Sequence, residues 1–262
     1  MFKEYPYINM IKMKKTKKST MLFFFIGCAL LSMPSYAQIY AYGIALDSIK
    51  ESVTSNPADY LLLHQKTIYP DSTLTIDDYF YLYYGSAYLD GYSPYSEGNN
   101  LNEIYDFLKT GNYKEAIDIC KKQIIEHPGY LKPFFLLGIA YENLDDTLTA
   151  SKFFKRYYDY LSIPYFSGDG TSTESAFVVR SVGDEYLIIN ELDLKSQSQS
   201  LIFEKNVPYD MLQVKAENEE ETQKIYFNVE LPFMNGLNFM KDSKSNKKAA
   251  KKKETKKKKS KK

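Results

Sequence analysis

Phe134-Phe135-Leu136-Leu137-Gly138-Ile139-Ala140-Tyr141 and, after a short polar break, Ala150-Ser151-Lys152-Phe153-Phe154 are the stretch that decides the fold. Phe134, Leu137, Gly138 and Tyr141 recur at three- and four-residue steps, the period of one helix face. Ala150 and Phe154 repeat the step on a second helix. Ala116 and Cys120 stand 34 residues before Ala150 and Phe154, so the second helix has an earlier copy. Gly111-Asn112-Tyr113 enters that copy and Pro128 ends it. Small residues let paired helices approach closely, and Gly138, Ala116 and Ala150 occupy such positions.

This spacing resembles the tetratricopeptide repeat, with Phe134 in the place usually held by Trp. The match is partial. Gln123 and Tyr157 replace small residues, Ser162 replaces a proline, and the segment 101–109 fits only at Phe107. Upstream, Thr75-Ile76-Asp77-Asp78 reads as a helix start close to a capping box. Tyr81-x-x-Tyr84-Gly85-x-x-Tyr88 then echoes the first-helix spacing, before the loop Gly91–Gly98 interrupts it. Residues 44–54 and 57–68 read as two short helices split by Asn56-Pro57 and ended by Pro70.

Downstream, Ser167-Gly168-Asp169-Gly170 breaks the helical pattern and strand formers take over. Ala176–Val182 and Glu185–Asn190 read as strands about a Gly183-Asp184 turn. Residues 225–230 alternate, with Ile225, Phe227 and Val229 on one face, and 199–204 and 209–214 are weaker strand candidates. The acidic stretch 217–221 reads as a solvated turn. The expected fold is α+β, a tetratricopeptide-like α-helical region over 38–166 followed by a small antiparallel β-sheet in a β-rich segment, 167–240, packed on the helices.

Both ends differ from this body. Residues 1–37 carry +5 and residues 241–262 carry +11, which against +1 overall leaves −15 on residues 38–240. Basic Met13–Lys18 precedes the apolar run 21–33, too short to cross a bilayer and suited to a signal peptide. Small Ser35 and Ala37 place cleavage between Ala37 and Gln38, leaving no transmembrane anchor in the mature chain. A lesser alternative acylates Cys28 as a lipoprotein. Cleavage leaves Cys120 as the remaining cysteine, so no internal disulfide can form. The Lys-rich tail 241–262 lacks any apolar residue larger than Ala and is expected to be disordered. It can fold back on the acidic body, act as a solubilising tail, or hold the protein to anionic envelope material. Export disfavours nucleic acid as its partner.

No catalytic, cofactor or metal constellation is legible. His64 and His127 are separate, neither near a nucleophile signature, and Cys120 sits at a core position. Gly168-Asp169-Gly170 superficially resembles a calcium loop without its ligand ladder. Asp184 and Glu185, adjacent in an expected strand, would face opposite ways. The abundance of Tyr, 25 residues with no Trp, has two readings: helix packing, or an aromatic binding surface.

Tyr81–Gly85, Tyr92-Ser93-Pro94-Tyr95, the repeat, Gly168-Asp169-Gly170 and Asp184-Glu185-Tyr186 together resemble a family of secreted bacterial proteins, domain of unknown function 4919, over about residues 44–232. That resemblance implies the architecture above and an envelope or extracellular location, and it supplies no functional residue. The tetratricopeptide resemblance implies a ligand groove on the first helices. It would present Tyr105, Leu108 and Lys109 from one repeat and Lys132, Phe135, Ile139, Glu142 and Asn143 from the next. Phe135 and Ile139 replace the Lys and Asn of carboxylate-clamping repeats, so this groove is not expected to clamp a peptide C-terminus. The leading expectation is a noncatalytic periplasmic or secreted scaffold that binds a protein or peptide. The alternative is a glycan or cell-wall binding module using exposed tyrosines, and a hydrolase with dispersed carboxylates ranks third. Amino-terminal sequencing of exported protein is expected to begin at Gln38; an intact or lipid-blocked amino terminus would refute the cleavage.

Overall fold

Short polar side chains set the helix starts. Thr75 Oγ1 accepts from the Asp78 amide (3.2 Å) and Asp78 Oδ2 accepts from the Thr75 amide (2.7 Å), the reciprocal capping box expected there. The computed structural model describes residues 40–41, 44–94, 101–217, 219–234 and 236. The expected signal peptide with its Ala37–Gln38 cleavage site and Cys28, the loop end 95–98, and the tail 241–262 lie outside the described residues.

Two two-residue strands, β1 (Tyr40–Ala41) and β2 (Ile44–Ala45), pair antiparallel ahead of the helices. Then come α1 (Leu46–Ser55), α2 (Pro57–Gln65) with a 3-10 turn Lys66–Ile68, and α3 (Ile76–Gly85) with a 3-10 turn Ser86–Tyr88. Four further helices follow: α4 (Leu101–Thr110), α5 (Tyr113–Glu126), α6 (Lys132–Asn143) and α7 (Thr147–Ser162). Each of the last four packs on the next, while α3 also meets α7. The helix bounds follow the sequence expectation closely, including the Asn56-Pro57 break, because apolar period and punctuation coincide there.

Close approach of α6 and α7 centres on Gly138 and Phe154, where a Cβ on Gly138 would stand 2.5 Å from the ring. Around them Phe134 stacks on Tyr160 (5.4 Å) and Tyr141 on Phe153 (5.5 Å). Cys120 is fully buried in the same core, and burial pushes its thiol up to about 12. His64 is buried too. Its Nε2 donates to the Ile124 carbonyl (2.7 Å), which has no intrahelical partner because residue 128 is a proline without an N–H. His64 thus serves as a buried cap of α5. Burial holds it below its ordinary pKa.

The carboxy-terminal third departs from expectation. The strand expected over 176–182 shrinks to β3 (Phe177–Val178), and the one expected over 185–190 is a helix, α8 (Val182–Glu191). Ser181 Oγ accepts from the Asp184 amide (3.3 Å), and Asp184 and Glu185 lie in the first turn, where the helix dipole favours acids. Burial of Glu185, Ile188 and Ile189 follows a helical step, not alternation. The segment 167–240 thus carries a helix within it.

The remaining strands are β4 (Leu194–Glu204), β5 (Val207–Ala216) and β6 (Gln223–Asn228), in the order β3-β6-β5-β4. Lys205 and Asn206, both at positive φ, turn β4 into β5. The sheet is mixed and not wholly antiparallel, since β3 runs parallel to β6, with Phe177 opposite Phe227. α8 packs between β4 and α7, which joins the sheet to the helices.

Gly138→Ala sets two opposed effects against each other. Alanine favours an isolated helix by about 1 kcal/mol, whereas overpacking against Phe154 costs roughly 1–3 kcal/mol. The expected outcome is a lower urea midpoint; an unchanged or raised midpoint would mean that α6 and α7 do not touch at this point.

Candidate functional site: a cavity floored by Arg180

A cavity of about 550 Å³ opens where three stretches of chain meet. Val53, Pro57 and Leu61 come from the α1–α2 junction, Tyr88 to Ser93 from the loop after α3, and Ile125 to Pro128 with Tyr130 from the α5–α6 turn. Ser86 and Arg180 also line it, and both are buried, so they form its floor. Gly129, at φ +81, closes the turn onto that floor: a Cβ there would lie 2.5 Å from Ser86 Oγ and 2.8 Å from Arg180 Nε. Only glycine suits both the conformation and the space.

Arg180 is held from three sides. Its Nε lies 3.6 Å from Asp184 Oδ2, one helical turn on, and its guanidinium stands 5.9 Å from the centre of the Tyr83 ring. Tyr83 donates to Asp184 Oδ2 (2.8 Å), and Tyr92 donates to the Arg180 carbonyl. The mouth is different in character. Leu61 and Ile125 are 43% and 46% exposed there, and Asp90 and Glu126 are exposed carboxylates. The site thus combines an apolar mouth, rim acids and a deep cation, with His127 in its wall.

None of the expected groove residues lines this cavity. On α4, Tyr105 and Lys109 are exposed and Leu108 is half-buried. On α6, Lys132, Phe135 and Ile139 are half-buried and Glu142 and Asn143 exposed. Phe135 packs on Phe154 (5.4 Å) and Tyr157 (5.2 Å), with Lys132 Nζ 5.7 Å from the centre of its ring. Asn143 turns its amide back to the Ile139 carbonyl (2.8 Å). Of these side chains Phe135, with Lys132 over it, is tied into the α6–α7 hairpin.

Arg180 carries a sequence signal of its own. Of 34 basic residues only Arg156 and Arg180 are arginines, and both are buried. Arg156 spends its fork on the loop after α2. It donates to the Thr67 carbonyl, to the Tyr69 and Ser72 carbonyls (each 3.0 Å), to Ser72 Oγ (3.2 Å) and to the Lys66 carbonyl (3.4 Å). A guanidinium is chosen over an ammonium where several acceptors converge.

Next to Asp184 lies a pair of buried acids, Glu185 on α8 and Asp210 on β5, within hydrogen-bonding reach of each other. Gln199 covers them, donating to Asp210 Oδ2 (2.6 Å) and approaching Glu185 Oε2 (3.5 Å), and Tyr186 donates to Gln199 Oε1 (2.7 Å). Burial first, then the Asp210 carboxylate, pushes Glu185 up to about 10, so it carries its proton at neutral pH. Glycosidases keep their carboxyls about 5 to 9.5 Å apart in an open cleft. This pair is in contact and roofed over.

Among the described residues no helix is long and apolar enough to cross a membrane, and no three His, Cys, Asp or Glu side chains are grouped to hold a metal. A family model described as Domain of unknown function (DUF4919) matches residues 47–238. No curated protein and no solved structure matches the chain.

The acid pair sets a pH dependence. Glu185 binds its proton more tightly folded than unfolded, so its contribution is complete below about 4.5 and is lost as pH rises towards 10. Glu185→Gln keeps the shape and a donor without that loss. The variant is expected to melt above the wild type at pH 8, with the gap shrinking at pH 5; a gap that widens at pH 5 would contradict a protonated Glu185.

Proposed function

The chain belongs to the DUF4919 family, and for it we propose the role of an exported, noncatalytic scaffold that binds a protein or peptide, with a segment of that partner seated in the cavity above Arg180. The single observation that carries this reading is the cavity itself: about 550 Å³, with exposed Leu61 and Ile125 at its mouth and buried polar groups at its floor. Ligand sites commonly span roughly 300–1,000 Å³ and combine apolar walls with a few placed polar groups. An apolar side chain of the partner would cover Leu61, Ile125 and Val53, worth about 1.5–3 kcal/mol on full burial. Backbone groups of the segment would reach the floor.

In this reading the tetratricopeptide-like helix pairs are the rigid frame. The turn between α5 and α6 supplies one wall, and the groove residues of α4 and α6 extend the contact surface. The Lys tail would hold the exported protein near anionic envelope material. A glycan platform would call for a flat row of exposed rings. Among the described residues the well-exposed tyrosines Tyr69, Tyr105 and Tyr186 sit instead on three separate elements, after the 3-10 turn, on α4 and on α8, which favours the peptide.

Leu61→Ser with Ile125→Ser tests the reading, since both side chains are exposed and the fold should tolerate the change. Capture from envelope extracts is expected to retain a protein partner on the wild type and to lose at least about tenfold of it on the double variant. Equal recovery on both would remove the cavity as the binding site.

A further inference from the structure

We propose that a second copy of this chain pairs on the open edge of β4, antiparallel over Ser198–Glu204 with Leu201 facing Leu201, so that two four-stranded sheets become one. None of these residues lines the cavity, so the inference goes beyond the ligand reading and does not depend on it.

The two edges of the sheet are finished differently. At one edge β3 is two buried residues, and the amide and carbonyl of Val178 are both taken. The amide donates to Ser167 Oγ (2.7 Å) and the carbonyl accepts from the Tyr84 hydroxyl (3.2 Å). At the other edge β4 runs for 11 residues and, among the described residues, pairs with β5 alone. Its far row of amides and carbonyls meets no other strand there. Such a row is a template for another chain, and natural edges carry Pro, Lys or a short strand to prevent it. From Ser196 to Phe203 this strand has no charge and no proline. Its one blunting device is a bulge between Ser196 and Ser198.

That bulge and the Lys205-Asn206 turn fix what can pair. A bulge bends its strand and interrupts the ladder, so the regular stretch is Ser198–Glu204, with Leu201 at its middle. Two copies related by a two-fold axis through the sheet place one residue opposite itself, and centring on Leu201 uses the whole stretch. Gln199 then faces Phe203 of the second copy, and Ser200 faces Ile202. Glu204, the only charge in the stretch, falls opposite Ser198 and stays roughly 20 Å from the other Glu204. Residues 38–240 carry −15, so like charge opposes most approaches of a second copy. This strip is exempt.

The side chains give a second reason. Leu201 and Phe203 stand opposite Asp210 and Pro208, both buried, so they lie on the core face of the sheet, yet they are 48% and 58% exposed. Cover from α8 reaches Gln199, which accepts from Tyr186 (2.7 Å), and the two apolar side chains beyond it are left open. A second copy covers them with its own Leu201 and Gln199. Because β3 closes the opposite edge, the sheet stops growing at two copies.

The test is sedimentation velocity of the full chain over a concentration series, in which the mass is expected to double reversibly. Leu201→Lys sets like charges directly opposite each other at a position the monomer leaves half-exposed. It should raise the midpoint concentration at least about tenfold without lowering the melting temperature of the monomer. Leu201→Cys gives an independent readout: mild oxidation is expected to link 201 to 201, as mapped on the digested chain. Ser198→Cys, roughly 20 Å from its copy, should not link to itself. Leu61→Ser with Ile125→Ser should leave the dimer intact. A single-copy mass at every concentration up to about 1 mM would overturn the proposal. So would a dimer unmoved by Leu201→Lys, a dimer lost with Leu61→Ser and Ile125→Ser, or assembly that continues past two copies. Protection of the β4 amides from hydrogen exchange only when envelope extract is added would overturn it in favour of a different protein on this edge.

Discussion

Burying the guanidinium of Arg180 is the constraint around which the helical and sheet-bearing parts of this protein meet. A lone buried charge is prohibitively costly, so it requires a counter-charge and a polarisable surface within reach. Asp184 and the face of Tyr83 supply them. Those partners come from α8 and α3, and Gly129 of the α5–α6 turn presses on the same group. Three distant stretches are thereby brought to one point. Moving any of them would expose or strand a charge, and so the cavity above Arg180 has a floor that cannot easily shift.

The tyrosine content has its explanation in the same region. Tyr60, Tyr83, Tyr84 and Tyr160 are fully buried. Each ring fills core volume, and several hydroxyls cross to another element: Tyr60 to the Leu82 carbonyl (2.7 Å), Tyr83 to Asp184, Tyr84 to the Val178 carbonyl (3.2 Å). Phenylalanine would supply the volume without the link. A core built this way is specified by direction as well as by size, because a hydroxyl that misses its acceptor is penalised. Of the two sequence readings of Tyr, packing accounts for most of the buried rings.

Legibility followed the range of the interactions involved. The helices over 46–162 were readable because period, caps and proline breaks are all local, and the β4–β5 and β6 segments showed enough alternation to be found. The helix at 182–191, where strands are expected, has a local cause: Ser181 and Asp184 form a cap, while Val182, Leu187, Ile188 and Ile189 have the residue types of a strand. The parallel β3–β6 pairing was not legible, since two residues of strand leave no periodic trace. Nor was the cavity. Its walls come from residues about 70 positions apart in sequence, and no motif encodes their meeting. The expected groove residues come from the resemblance to a repeat; of them Phe135 packs on Phe154 and Asn143 bonds back within its own helix. The one sequence feature that did point to the floor was the rarity of arginine in a lysine-rich chain.

The polar links that finish the amino-terminal helices also impose an order on chain folding. The loop after α2 is fastened by Arg156, and α3 by Asp184, which lies 101 residues beyond Tyr83. Until those downstream residues are synthesised, the carbonyls of the 66–72 loop lack Arg156 and the hydroxyls of Tyr83 and Tyr84 lack Asp184 and the Val178 carbonyl. Contacts of such long sequence separation close late, after the entropy of the intervening loop has been overcome. The central helix pairs, whose contacts are nearly all between neighbours, can assemble first and act as a template. The amino-terminal helices have their full docking surface once α7 and α8 are in place, and the cavity, lined by residues from Val53 to Arg180, requires all of those stretches together.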